Sequence, residues 1–291
     1  MLTYVWVWGC FMEWRGRRGS RNIEDRRTQG GRGGAAVGGV GVIVVLLIGY
    51  FLGIDVTPLL NDPGAGSPTS VELTEADQAA GQFVSVTLAD TEDVWATLFN
   101  EQLGRSYTPA TLVLFKNATQ SPCGNASGAT GPFYCPIDKK AYLDTGFFVT
   151  LEKRLGARGD FAAAYVVAHE IAHHVQDELG ILAKANDIRR QVSAEESNAI
   201  SVRIELQADC LSGVWARHAA QTFGSIDRTD LEEAVNAARK IGDDTLQKSA
   251  GQRPMPHTFT HGTAEQRSRW FVTGLQSGTI ASCDTFSTDD L

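Results

Sequence analysis

The chain has 291 residues, of which 26 are Lys or Arg and 34 are Asp or Glu, for a formal net charge of −8. A hydrophobic content of 43% beside 21% charged residues excludes an intrinsically disordered chain, and the acidic balance excludes a protein that works chiefly by neutralising nucleic-acid phosphates. The average conceals a split: the seven Arg between Arg15 and Arg32 outweigh Glu13, Glu24 and Asp25, leaving that stretch at +4 and the rest of the chain at −12.

Residues 1–34 read as an Arg- and Gly-rich leader, expected to be disordered. Residues 35–54, AAVGGVGVIVVLLIGYFLGI, are twenty residues without a charge, long enough as a helix to cover the roughly 30 Å hydrocarbon core of a bilayer. With the Arg cluster on its N-terminal flank, this run is expected to be a transmembrane helix in a single-pass cell-membrane protein. The leader would then be cytoplasmic and the acidic bulk extracytoplasmic. Residues 55–80 hold three of the nine Pro together with Gly, Ser and Thr, and read as a linker. Residues 81–291 read as the folded domain.

Within that domain a helix is expected over 91–103, followed by short extended segments at 111–115, 131–135 and 140–144. Helices then dominate, over 146–155, 161–179, 193–223 and 230–241, with a last one starting at Thr263-Ala-Glu-Gln266. Strands followed by a stack of helices is an α+β order, a small sheet packed on a mainly helical bundle. Cys123, Cys135, Cys210 and Cys283 all lie beyond the apolar run, an even number that suits an oxidising compartment. Three pairings are open to them. The short loop from Cys123 to Cys135 suits a local bridge, which would leave Cys210 with Cys283.

The chemistry is concentrated in His169-Glu170-Ile171-Ala172-His173. Two His four residues apart share one helical face and can hold one zinc ion, while the intervening Glu170 can act as a general base on water. A third ligand must come from elsewhere. Gln176 and Leu179 stand where an extended motif would need Gly and His, and Glu195 and Glu196 have Ala199 and Ile200, not an acid, one turn on. Glu205 has Asp209 four residues later on the same helix face, a carboxylate able to support a ligand His from behind. His257 and His261 are candidates for a second electrophile, with His261 preferred because it stands just before a helix start. His174 points about 100° from its ligand neighbour and is expected to make a structural hydrogen bond.

The motifs MEWRGRRGSRNIEDRR from Met12, LADTEDVW (88–95), GPFYCPIDKKAYLD (131–144), HEIAHHVQ (169–176), RIELQADCLSGVWA (203–216) and THGTAEQRSRWF (260–271) occur in that order. In them the chain resembles the putative neutral zinc metallopeptidase family of membrane-anchored bacterial proteins, relatives of the thermolysin-like zincins. The resemblance implies a zincin-like fold, a Zn2+ cofactor on His169, His173 and Glu205 with Asp209 behind, and peptide-bond hydrolysis by metal-activated water with Glu170 as base. It also implies that Met12 is the start, with residues 1–11, Cys10 among them, upstream of it. The expected partners are a peptide or protein substrate and the lipid bilayer, with no nucleic acid. Residues 140–144 are a candidate edge strand for pairing an extended substrate. The competing reading is a catalytically silent, zinc-stabilised binding or regulatory module of the cell envelope. The intact Glu170 argues against that reading, since a structural zinc site needs no base.

Overall fold

The computed structural model describes residues 12–28 and 72–291 apart from 128–129, 154–155, 158 and 225. Its sheet has the strand order β1-β2-β6-β5, formed by β1 (Ile23–Asp25), β2 (Thr111–Phe115), β5 (Phe133–Cys135) and β6 (Lys140–Asp144). β1 and β6 run parallel to β2, and β5 runs antiparallel to β6. The near-continuous apolar text of TLVLF follows from burial on both faces: Leu112 and Leu114 enter the main core, while Val113 and Phe115 pack with Tyr142 and Cys135 on the other side. A separate hairpin, β3 (Ala118–Ser121) with β4 (Gly124–Ser127), was not expected from its polar sequence.

Among the described residues the helices are α1 (Glu75–Leu103), α2 (Phe147–Lys153), α3 (Asp160–Glu178), α4 (Ile181–Arg189), α5 (Ala194–Phe223), α6 (Arg228–Lys240), α7 (Asp243–Ser249) and α8 (Ala264–Ser277), with 3-10 turns at Pro256–Thr258 and Ile280–Cys283. Capping boxes start α1 at Thr74 with Asp77, α5 at Ser193 with Glu196 and α8 at Thr263 with Gln266. Glu196 is thus a capping residue. α1 is much longer than expected and begins inside the stretch read as a linker.

α5 and α8 pack backbone against backbone. A Cβ added to Gly274 would lie 1.8 Å from the Cys210 carbonyl oxygen, and one added to Gly213 would lie 2.0 Å from that of Phe271. Close approach at these two positions requires Gly. Disulfides join Cys123 to Cys135 and Cys210 to Cys283, the second tying the Ile280–Cys283 turn to α5.

Two groups of expectations are corrected, those for the leader and membrane span and that for the substrate edge. The described part of the leader is built into the domain. Met12 and Trp14 are buried in the main core, and β1 bonds to β2 through Leu112 N to the Asn22 carbonyl (2.8 Å) and Arg26 N to the Leu114 carbonyl (2.7 Å). Its Arg residues meet acids on α1 or nearby: Arg17 with Asp90 (2.6 Å), Arg18 with Asp93 (2.7 Å), Arg27 with Asp25 (2.6 Å). Among the described residues no helix is long and apolar enough to cross a membrane, and residues 35–54 lie outside them. One crossing between residues 28 and 72 would set β1 and β2, hydrogen-bonded neighbours, on opposite sides of a bilayer. The expected transmembrane helix and the single-pass cell-membrane localisation are therefore corrected. Secondly, β6 lies between β2 and β5, so Lys140–Tyr142 is paired on both sides and is not the expected edge for a substrate.

Candidate metal centre

α3 is apolar nearly all round and therefore runs through the core, with Val166, Val167, Ala168, Ile171, Ala172 and Val175 buried about it. Its polar residues must find partners, because burying them alone costs several kcal/mol, about 2–7 for an unpaired polar group. His169 and His173 project from one face toward Glu205 on α5. One donor atom from each of the three lies within 4.8 Å of the others. His169 Nε2 is 3.0 Å from Glu205 Oε2, and His173 Nε2 is 3.5 Å from Glu205 Oε1.

These residues fit a zinc ion. Two imidazoles and a carboxylate are a donor set zinc takes, and the His-to-Glu205 separations, one to each carboxylate oxygen, lie near the roughly 3.3 Å that tetrahedral zinc sets between ligand atoms. Each remote ring nitrogen faces a side-chain oxygen, the arrangement ligand imidazoles use, with hydrogen-bond geometry at His173 and a close charge contact at His169. His169 Nδ1 lies 3.0 Å from Asp209 Oδ1, and His173 Nδ1 lies 2.8 Å from Gln176 Oε1. Both Nε2 atoms are thereby turned to the common point. Among the described residues the cluster offers three protein donors, one short of a closed structural site.

Asp209 is fully buried and held from several sides. The Tyr165 hydroxyl donates to its Oδ1 (2.5 Å), and Arg267 on α8 donates through Nε to Oδ2 (2.8 Å) and through Nη2 to Oδ1 (3.0 Å). Burial opposes ionisation of Asp209, but Arg267 and His169 outweigh it and hold its pKa down. Glu205 follows the same logic: burial opposes its charge, His173 and His169 outweigh burial, and its pKa lies well below the usual carboxylate range. Burial likewise opposes a charge on His169, yet Asp209 and Glu205 raise its pKa to about 10. For His173 burial prevails and the pKa is lowered.

Glu170 is 7% exposed, and its Oε2 is buried with no hydrogen-bond partner among the described residues. Burial pushes its pKa up to about 7, against the opposing pull of His169. A carboxylate with an unsatisfied oxygen beside three converging donors is placed to bind a water.

His261 stands between α7 and α8. Its Nδ1 is 3.1 Å from Asp243 Oδ1, and its backbone N–H donates to Asp243 Oδ2 (2.6 Å). Partial desolvation opposes its charge, but Asp243 and the nearby Glu205 raise its pKa. His257 is exposed in the Pro256–Thr258 turn, where its carbonyl accepts from Asn198 Nδ2 (3.1 Å). His174 is buried away from the cluster. Its Nε2 bonds the Thr108 carbonyl (2.7 Å) and its Nδ1 lies 3.1 Å from the Tyr134 hydroxyl. The residues that sequence reasoning missed are Tyr165, Gln176, Gln207, Asp243 and Arg267. Of these, Gln176 carried a local signal, standing one helical turn after His173.

Residues 12–286 match the family described as "Putative neutral zinc metallopeptidase". The chain is 43% identical over 288 residues to "Uncharacterized protein YpfJ" of Escherichia coli (strain K12), covering 94% of this chain and 99% of that one. It is 44% identical over 195 residues to "Uncharacterized protein Rv2575" of Mycobacterium tuberculosis (strain ATCC 25618 / H37Rv), covering 64% of this chain and 65% of that one. No solved structure matches it. With its His-His-Glu cluster and a family match running from the leader to the C-terminal turn, the chain belongs to the putative neutral zinc metallopeptidase family.

Proposed function

We propose that the protein is a zinc-dependent endopeptidase whose metal is held by His169, His173 and Glu205. The observation that carries this reading is the unpartnered Oε2 of Glu170 on the helix that also supplies two converging imidazoles. When bound, zinc supplies Lewis-acid polarisation of a scissile carbonyl and lowers the pKa of water. Glu170 holds the attacking water, accepts its proton at Oε2 and delivers that proton to the leaving amine nitrogen. Asp209 keeps the His169 ring in place from behind. His261, with its Nδ1 facing Asp243, presents its other nitrogen as a donor to the oxyanion that develops on the substrate. The catalytic unit is the domain expected over 81–291, completed by residues 12–28 and the start of α1.

The test uses the full chain: zinc stoichiometry and cleavage of casein and peptides, for the wild type and Glu170→Gln. Equal zinc binding with cleavage by the wild type alone is the expected result. Zinc bound by both and cleavage by neither would establish the silent binding module instead. Glu205→Ala is expected to lose tight zinc binding, and a variant that kept it would remove Glu205 from the ligand set.

A further inference from the structure

We propose that Gln176 and Gln207 are positioning residues that fix which nitrogen His173 turns to the metal and tie that choice to the C-terminal turn. The inference rests on the reading of His173 as a ligand. His173 Nδ1 is 2.8 Å from Gln176 Oε1. Gln176 Nε2 donates to the Ile204 carbonyl (2.8 Å) and to Gln207 Oε1 (3.0 Å), and Gln207 Nε2 donates to the Cys283 carbonyl (2.9 Å). Both glutamines are buried, Gln176 completely.

A carboxamide can turn about its last bond and exchange donor for acceptor, so a glutamine alone does not dictate a proton position. Here two backbone carbonyls, which can only accept, dictate both orientations. The Cys283 carbonyl requires the NH2 of Gln207 and leaves its Oε1 facing Gln176. That oxygen and the Ile204 carbonyl together require the NH2 of Gln176 and leave its Oε1 facing His173. An acceptor at 2.8 Å requires the proton on Nδ1, and a neutral imidazole protonated there has its lone pair on Nε2, the nitrogen that faces Glu205. The lone pair that meets the metal is therefore set by a carbonyl near the other end of the chain.

The relay also couples the elements that supply the donors. Gln176 belongs to the helix of both His, and Gln207 to the helix of Glu205. Cys283 is bonded to Cys210 on that same α5, which pins the outer end of the relay to it. His169 is placed differently: its Nδ1 lies 3.0 Å from the Asp209 carboxylate, an acceptor in any orientation, as a charge contact without hydrogen-bond geometry.

The test uses the full-length chain with Gln176→Leu, Gln176→Glu and Gln207→Leu. Ring-nitrogen NMR of the metal-free protein reads the His173 tautomer. The proton is expected on Nδ1 in the wild type and in Gln176→Glu, which keeps an acceptor, and is expected to leave Nδ1 in Gln176→Leu. Chelator competition reads zinc affinity, expected to fall roughly 10- to 100-fold in Gln176→Leu and by a smaller factor in Gln207→Leu. An Nδ1 proton retained in Gln176→Leu, or a zinc affinity within about twofold of wild type in both Leu variants, would overturn the proposal. If Gln176→Leu does not fold, Gln207→Leu decides by the same two readouts. A wild type that bound no zinc would remove the metallopeptidase reading, while the tautomer measurement would still judge the relay.

Discussion

Arg267 grips Asp209 with two nitrogens, Nε on Oδ2 at 2.8 Å and Nη2 on Oδ1 at 3.0 Å, and neither side chain is more than 2% exposed. The pair joins α8 to α5 directly behind His169. Removing one member strands the other as a buried charge, so Arg267→Met is expected to cost about 3–5 kcal/mol in urea unfolding of the metal-free protein. It is also expected to weaken zinc binding, because Asp209 loses the partner that holds it against His169. A variant as stable as wild type would show that the charge pair contributes little.

The backbone contact of α5 with α8 gives a second prediction. In Gly274→Ala the new methyl would meet the Cys210 carbonyl oxygen, which cannot swing aside as a side chain can. Overpacking of this kind costs about 1–3 kcal/mol or more. A lowered thermal midpoint is expected, with the larger loss in a Gly213→Ala, Gly274→Ala double variant. An unchanged midpoint would mean that the two helices part without penalty.

Trp14 tests whether the leader belongs to the folded unit. It is buried, lies edge-on to Phe83 at 5.6 Å between centroids, and donates from Nε1 to Asp160 Oδ2 at 3.2 Å. Trp14→Ala is expected to destabilise the protein by about 3–5 kcal/mol, as for other buried aromatic truncations. Denaturant unfolding of the two proteins reads the difference, and a change under about 0.5 kcal/mol would place the leader outside the cooperative unit.

Sequence and structure agree and part company for traceable reasons. The Glu205 and Asp209 pair was legible because both sit on one helix at a spacing that fixes their common face. Gln176 stands where an extended motif would have Gly, and its role as a partner of His173 follows only from the fold. Asp243 reaches His261 through a loop, and no periodicity announces that contact. The leader's Arg residues look in sequence like flanking charge for an apolar run, whereas in the fold Arg17 and Arg18 meet carboxylates of α1 and Arg27 pairs with Asp25 of β1. Strands 111–115 and 140–144 were found where they lie, but a run of apolar residues says nothing about which neighbour a strand takes.

The pairing of His261 with Asp243 predicts a kinetic signature. His261→Ala is expected to lower kcat about 100- to 1,000-fold, the usual effect of losing an oxyanion donor, with zinc stoichiometry unchanged. Asp243→Asn is expected to give a smaller loss. Steady-state kinetics beside metal analysis checks both, and full activity in His261→Ala would remove it from the reaction.

Asp77 predicts a dependence of stability on acid. It closes the Thr74 cap of α1 and accepts from Lys116 Nζ at 2.7 Å. Lys116 and Thr74 lower its pKa from 3.8 to about 2. A depressed carboxylate pKa gives stability that is complete above 3.8 and is lost as the pH falls through about 2. Unfolding free energies measured between these limits should therefore fall more steeply for the wild type than for Asp77→Asn.

The sheet and the C-terminal turn together constrain the order in which this protein can be made. β1 is synthesised long before β2, the strand it pairs with. At the other end the Thr285 hydroxyl bonds the Arg203 carbonyl and Gln207 reaches the Cys283 carbonyl, contacts that span 82 and 76 residues. A nascent chain therefore holds β1 without a partner until β2 is made, and the helix of Glu205 without these contacts until Cys283 and Thr285 have left the ribosome. Contacts so distant in sequence delay closure of the fold, because both partners must be made before either contact can form.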